Sequence, residues 1–288
     1  MEQKVTCCIE CRHFLFDPEW DNEHGCCSKK LSIRDWDDTP CEEFIQKQYE
    51  EERHIKVTLV SYTKNPLETM ESAAANCYNS KPTKSGKITE SCIASGHTSV
   101  TEFGDFVFHV EGVSRSFLAQ LTRHRHASYA VRSQRYCDET GFEYVVPPSV
   151  DNADKKIQKK YAKIMEAIDG WYKELLEAGI PKEDARYLLP NACCTTLEVK
   201  FNFRSLMNFC ALRRCTRAQW EIREFADAVV KLIEMQIDIP TYGKPMLSKY
   251  LVPKCEQHKI PFCEEDKCCG RHPNLEELVS DGGYIWVD

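Results

Sequence analysis

The chain has 288 residues, 42% of them hydrophobic and 10% aromatic, enough for one large cored domain with small appendages. Its 38 Lys and Arg against 45 Asp and Glu leave a formal charge of -7, which argues against a general binder of nucleic acid or anionic membrane. No apolar run approaches the roughly 18 residues of a membrane span, and MEQKVTCCIECRH lacks the apolar centre of an export signal. With seventeen cysteines, this points to a reducing, cytoplasmic setting and to metal or free thiols rather than disulfides.

Composition divides the chain into three zones: 1–54, rich in Cys, acids and aromatics; 55–252, with clear periodicity; and 253–288, with clustered Cys and His. In the middle zone, Lys56–Tyr62 alternates and predicts a strand. Asn65-Pro66 reads as an N-cap and a first helical proline, opening a helix through Cys77. A short helix near Ile88–Ser95 ends at Gly96. Asp105–Glu111 is a strand broken by Gly112, and Ser114 caps a helix that turns Phe117, Leu118 and Leu121 inward. Asp151 and Asp154 open a long helix with Ile157, Tyr161, Ile164, Ile168, Trp171 and Leu175 on its apolar face and Gly179 at its end. Glu183–Leu189 predicts a short helix stopped by Pro190. Leu197, Val199, Phe201 and Phe203 alternate as a half-buried strand with Asn202 and Arg204 on its polar side. Ser205 caps a helix to about Arg213, and a further helix runs from Arg217 to about Met235 with Trp220, Phe225, Val229 and Ile233 inward. Long helices interleaved with few strands make the fold α+β.

Arg123-His124-Arg125 is followed by seven residues and then Ser133-Gln134-Arg135. Arg123, Arg125, Arg132 and Arg135, with His124 and His126, form a cationic island in an acidic chain. Arginine presents a fixed fork of donors that suits phosphate and stays charged. The island fits a phosphorylated small molecule; it also fits a solvated basic loop pairing with surface acids. A nucleic-acid footprint would need a wider basic field. By spacing, Arg186 could pair with Glu183 on a helix surface.

The Arg-His-Arg-x7-Ser-Gln-Arg pattern resembles the signature of the flavin-dependent thymidylate synthase family. Gly96-His97-Thr98-Ser99 upstream is similar to another family segment. So are Ala185-Arg186-Tyr187-Leu188-Leu189-Pro190, Asn202-Phe203-Arg204-Ser205-Leu206-Met207-Asn208-Phe209, Leu212-Arg213 and Ala218-Gln219-Trp220-Glu221-Ile222 downstream. The likeness covers roughly residues 56–240. It implies long helices on a small antiparallel sheet; the Cys-rich extensions at both ends are read from composition and lie outside the likeness. It also implies conversion of dUMP to dTMP with methylenetetrahydrofolate, FAD and NADPH, in a homotetramer whose sites lie between subunits. By matching position, Ser133, Gln134, Arg135 and Arg186 would hold the dUMP phosphate, with Gln120 and Arg123 facing the nucleotide. Arg213 would activate the uracil without a cysteine nucleophile, since a nearby cation favours ionisation of the base. His97, Ser99, Arg123, His124, Arg125, Asn202, Arg204, Asn208 and Arg217 would meet FAD, whose reduced ring is stabilised by positive charge. No Gly-x-Gly-x-x-Gly is present, so a Rossmann unit is not expected. The chain departs from many relatives at Phe103, Val131 and Arg217, where they carry a histidine, an acid and a histidine.

Cys8-x2-Cys11 with Cys27 and Cys41 suits a four-thiolate zinc site, with an iron–sulfur cluster as rival; neighbouring Cys7 and Cys26 leave the ligand choice open. A segment with so little apolar content needs such a staple to fold. In the C-terminal zone, Cys255-x2-His258 followed by Cys263, Cys268, Cys269 and His272 could make a second site or remain free thiols. A competing reading is a nucleotide- or nucleic-acid-binding regulatory protein carrying a zinc module on a degenerate scaffold. The complete Arg-His-Arg-x7-Ser pattern together with Asn202, Arg204, Asn208 and Arg213 favours catalysis.

Overall fold

Alternation of large apolar residues builds the sheet that carries the site. A computed structural model describes the strands Phe14–Leu15, His24–Cys27 and Ser32–Asp35, and residues 55–83 and 85–280. The chain divides into two units, Met1–His54 and Ile55–Asp288. In the first, β1 (Phe14–Leu15), β2 (His24–Cys27) and β3 (Ser32–Asp35) form an antiparallel sheet, with Phe14 opposite Cys27 and Gly25 opposite Arg34. Cys27 closes β2; Cys8, Cys11 and Cys41 lie outside the described residues.

The second unit has an antiparallel four-stranded sheet of order β4-β5-β7-β6, made of β4 (Lys56–Tyr62), β5 (Asp105–Ser114), β6 (Ala127–Val131) and β7 (Cys194–Asn202). Phe106, Phe108 and Val110 stand opposite Phe201, Val199 and Leu197 on one fully buried face. That face is covered by α5 (Phe203–Arg213) and α6 (Trp220–Ile233), through Leu206, Phe209, Ile222, Phe225 and Val229. The other face is polar and half-exposed, with a His109–Glu198 contact of 2.8 Å and a Lys200–Asp105 ion pair of 2.8 Å. A sheet with one covered face and helices packed on that side is α+β architecture. Before and between these elements run α1 (Pro66–Cys77), α2 (Lys87–Ala94), the 3₁₀ turn Thr98–Phe103, α3 (Arg115–Leu121) and α4 (Lys155–Glu177). A short helix, α7 (Leu275–Ser280), ends the described chain. No helix among the described residues is long and apolar enough to cross a membrane.

Several local expectations need correction. Asn65 precedes α1 in a left-handed conformation (φ 48°), and its side chain makes no cap; its carbonyl instead accepts from Thr69. Gly112 does not end its strand: with φ 72° it sits in a register shift between Val110 and Val113, and β5 continues to Ser114. A bulge keeps the strand paired while absorbing an extra residue. Asp154 alone caps α4, accepting from Lys156 and Ile157 N–H; Asp151 belongs to a separate turn, Pro148–Asp151. The inward stripe of α4 is Tyr161, Met165, Ile168 and Tyr172, whereas Ile157, Ile164 and Trp171 are 44%, 45% and 56% exposed. Lys182–Ala185 is helical and Arg186–Leu188 a 3₁₀ turn. Phe203 is buried but already helical. Asn202, not Ser205, caps α5, accepting from Ser205 N–H at 2.8 Å. The next helix starts at Trp220, capped by Gln219, because residues 214–219 form the turn between the two.

Candidate active site

The Arg-His-Arg loop joins α3 to β6, and its shape is set from below. Glu221 on α6, 1% exposed, accepts from Ser114 N–H and Ser114 Oγ–H, each at 2.6 Å. Ser114 Oγ in turn caps α3 by accepting from Phe117 N–H at 3.0 Å. Phe117 and Leu121 are buried, so Gln120 is left half-exposed and Arg123 exposed. His124 turns inward, 8% exposed, its ring 5.7 Å from Phe201 and 5.5 Å from Phe209. Its Nε2 lies 2.7 Å from Ser205 Oγ, while Ser205 donates its only hydroxyl proton to the His126 carbonyl at 2.6 Å. Ser205 must therefore accept from His124, which places the ring proton on Nε2. Tyr129 Oη bonds the carbonyls of Leu121 (2.9 Å) and His124 (2.6 Å) and closes the loop from β6. Burial raises the Tyr129 phenol to about 12. The motif thus alternates out, in, out. Among the described residues, the exposed Arg123 and Arg125 guanidinium groups meet no acid.

Burial, then the neighbouring His126 and Arg213, push the His124 pKa below its ordinary 6.5. The unfolded chain therefore takes up this proton first, and stability should fall as pH drops below 6.5. Thermal unfolding of His124→Gln, followed across the same range, is expected to show a flatter dependence than the parent chain. Parallel curves would dismiss His124 as the source.

A second cluster lies at the far end of β6. Arg132 pairs with the buried Glu139 at 3.1 Å, and its carbonyl accepts from Arg115 Nη2 at 3.0 Å. Gln134 Nε2 points to Cys193 Sγ at 3.6 Å, and Ser133 Oγ accepts from Arg135 N–H. Arg135 pairs with Glu183 at 3.0 Å, whereas Arg186 donates to the Glu183 backbone carbonyl at 3.0 Å. The i,i+3 ion pair expected between Arg186 and Glu183 is not formed; the carboxylate is taken by Arg135. Arg186 is half-buried, and among the described residues its charge meets no carboxylate.

Sequence reading missed Arg115. It is half-buried and its Nε has no hydrogen-bond partner. Burial lowers its pKa, with Arg186 and Arg132 adding to the effect against Cys193 and Glu139. The available signal was its position: a cation on the first turn of α3 opposes the helix dipole.

The remaining residues surround α5. His97 precedes the 3₁₀ turn carrying Ser99, and both are exposed. Arg204 pairs with Glu102 at 2.6 Å, Asn208 is exposed, and Asn202 is half-buried with its oxygen committed to the cap. Phe103 is 60% exposed beside Glu102, and Val131 ends β6 half-buried. Arg213, at the end of α5, is half-buried, and among the described residues it has no acid partner; its charge lowers the pKa of both His124 and Tyr129. Its neighbour Arg214 is by contrast satisfied by Asp227 at 2.7 Å and the Leu251 carbonyl at 2.5 Å. Arg217 is drawn to the C-terminal segment, donating to Glu265 (3.1 Å) and the Lys267 carbonyl (3.2 Å). A cavity of about 250 Å³ is lined by Arg213, Arg217, Cys215, Cys255, Cys263 and Glu264, among others.

Arg123, Arg125, Arg186 and Arg213, half-buried or exposed and without an acid partner among the described residues, leave positive charge open to an anionic ligand. The family model described as "Thymidylate synthase complementing protein" matches residues 58–237. A flavin-dependent thymidylate synthase of Clostridium tetani is 37% identical over 251 residues, 78% of this chain and 96% of that one. The Pyrococcus furiosus enzyme of the same name is 38% identical, over 73% of this chain and 90% of its own. That of Nitratidesulfovibrio vulgaris is 34% identical, over 77% and 97%. The chain belongs to the flavin-dependent thymidylate synthase family. Nothing in these relatives supports the regulatory binder.

Proposed function

We propose that the chain catalyses the reductive methylation of dUMP to dTMP, taking the carbon from methylenetetrahydrofolate and the reducing equivalents from NADPH through FAD. The observation that carries the reading is Arg213, a half-buried cation with no acid partner among the described residues, next to the Arg-His-Arg loop. A group that stabilises negative charge on a bound base needs such a cation.

The donor set fits FAD. Arg123 and Arg125 are free toward solvent, His97, Ser99 and Asn208 are exposed, and Arg204 is held only by a surface ion pair. FAD, when bound, supplies the redox chemistry. His124 contributes through the loop it braces, Asn202 keeps its amide nitrogen available beyond the cap, and Arg217 reaches the cofactor only by leaving Glu265. Ser133, Gln134, Arg135 and Arg186 hold the nucleotide phosphate, joined by Arg115, with Gln120 and Arg123 against the nucleotide. Arg213 lowers the cost of charge on uracil, so no cysteine nucleophile is needed.

The two cationic clusters sit at opposite ends of β6, about 15 Å apart for a five-residue strand. We therefore place the enzyme as a homotetramer with sites shared between subunits; the exposed stripe Ile157, Ile164 and Trp171 on α4 supports a subunit contact. We place the protein in the cytoplasm, the reducing setting that its seventeen cysteines suggest. Neither nucleic acid nor membrane is a partner in this reading. For residues 1–54 we propose a separate zinc module through Cys8, Cys11, Cys27 and Cys41; iron and sulfide in the protein would replace zinc with a cluster.

The purified protein should be yellow, with a flavin spectrum bleached by NADPH, and should release tritium from C5-labelled dUMP. A colourless protein that neither binds added FAD nor releases tritium would overturn the proposal. Arg186→Ala should raise the KM for dUMP by about 10- to 100-fold with a smaller change in kcat, since a charged donor to phosphate is lost. Steady-state kinetics with an unchanged KM would remove Arg186 from the phosphate site.

A further inference from the structure

The C-terminal segment brings a distant histidine, His272, onto the adjacent Cys255 and Glu256. Cys255 Sγ, a Glu256 carboxylate oxygen and a His272 ring nitrogen all lie within 4.8 Å of one another. The backbone arranges this. Phe262 N–H donates to the Cys255 carbonyl at 3.1 Å, and Cys263 N–H donates to the Pro273 carbonyl at 2.8 Å, which folds the segment back on itself. Gly270, at φ 82°, turns the chain, and its N–H donates to Cys268 Sγ at 3.3 Å. His258, the partner that spacing suggested for Cys255, lies outside the group: it stacks on Phe262 at 4.1 Å, with Nε2 2.7 Å from a Glu264 oxygen.

The internal distance of the triad is informative. His272 Nε2 and Glu256 Oε1 are 3.4 Å apart, long for a charge-assisted hydrogen bond. Two ligand bonds of about 2.0–2.2 Å meeting near the tetrahedral angle separate N and O by about 3.3–3.6 Å. Thiolate, imidazole and carboxylate together suit a borderline ion rather than a hard one. Only one thiol is in the group, which is too few for an iron–sulfur cluster.

We propose that Cys255, Glu256 and His272 form a site for one divalent ion of the zinc class, which clamps the C-terminal segment onto the turn that follows Arg213. The fourth position falls to water or to a neighbouring thiol: Cys263 lines the same cavity as Cys255, and Cys268 Sγ lies 2.9 Å from the His272 carbonyl. The clamp is joined to that turn at three places. Arg271 bridges Glu256 (3.4 Å) and the Arg214 carbonyl (3.2 Å), Arg217 binds Glu265, and Cys255 lines the same cavity as Arg213. Binding needs no redox step; the Cys255 thiol gives its proton to solvent as the metal–sulfur bond forms.

The N-terminal cysteines could also bind metal, so the test uses the full chain with Cys8→Ser and Cys11→Ser as the reference. After chelation and dialysis, this chain is titrated with Co²⁺ and its metal content measured with Zn²⁺. About one equivalent is expected, with a thiolate-to-cobalt charge-transfer band in the near ultraviolet. Adding Cys255→Ser or His272→Ala should abolish both signals, and Glu256→Gln should weaken binding by about tenfold or more. FAD binding and circular dichroism in the same samples separate metal loss from unfolding. A folded reference chain that binds no ion would overturn the proposal. So would one equivalent that survives the Cys255→Ser, His272→Ala double change.

Discussion

Arg213→Ala is expected to stop dTMP formation while leaving FAD in place. Two other cations on the same helix and its C-cap are already neutralised, Arg214 by Asp227 and Arg204 by Glu102. Arg213 keeps its charge free while half-buried, so its electrostatic influence is less screened than that of a surface residue. Removing one positioned donor from a site of developing negative charge costs about a hundredfold or more in turnover. Tritium release from C5-labelled dUMP measures the loss, and the flavin spectrum checks that the cofactor stays. Arg213→Lys should recover little, because an ammonium lacks the planar fork. A second readout is independent of turnover. Since Arg213 lowers the His124 pKa, its removal should let that pKa rise, visible by NMR titration of the imidazole. Turnover within a few-fold of the parent would take Arg213 out of the mechanism.

Glu221→Ala should be the most destabilising single change near the site. The carboxylate is 1% exposed and takes two hydrogen bonds of 2.6 Å from Ser114, the residue that starts α3. Truncation leaves a buried N–H and a hydroxyl without their acceptor, costing about 3 kcal/mol. For a domain of this size that is roughly 10 °C in Tm. Function should follow stability here, because α3 carries Gln120 and Arg123 at its far end. A rise in the KM for dUMP is expected even where the protein remains folded. Glu221→Gln keeps an acceptor and should lose about half as much. Differential scanning calorimetry that finds Glu221→Ala within about 1 kcal/mol of the parent would show that water replaces the carboxylate.

The sheet was legible because its strands obey a period of two. Leu197, Val199 and Phe201 face the core, as do Phe106, Phe108 and Val110. The cationic residues were legible against an acidic background. What stayed hidden has physical causes. Asn202 and Ser205 are both good capping residues three positions apart, and only the tertiary structure shows that Ser205 is taken by His124 and His126. The stripe Ile157, Ile164, Trp171 has helical spacing like the true inner stripe beside it, and hydrophobicity alone does not separate a core face from a surface one. The middle histidine of Arg-His-Arg looks like a ligand in the sequence, yet its ring is packed between phenylalanines. Arg115 carried no motif; its meaning comes from burial. His272 meets Cys255 and Glu256 only because the segment folds back, which spacing could not reveal.

The inward turn of Tyr129 has a consequence for how the motif tolerates change. Tyr129 pairs with Val199 across β6 and β7, and from that position it latches the carbonyls of Leu121 and His124. The seven-residue spacer therefore works as a ruler with a parity. One inserted or deleted residue between His126 and Arg132 would rotate Tyr129 to the solvent side, undo the latch and shift the whole far cluster by a strand step. Substitutions at Ser128 and Ala130, which point outward, leave the ruler intact. The spacer can thus vary in composition while its length stays fixed.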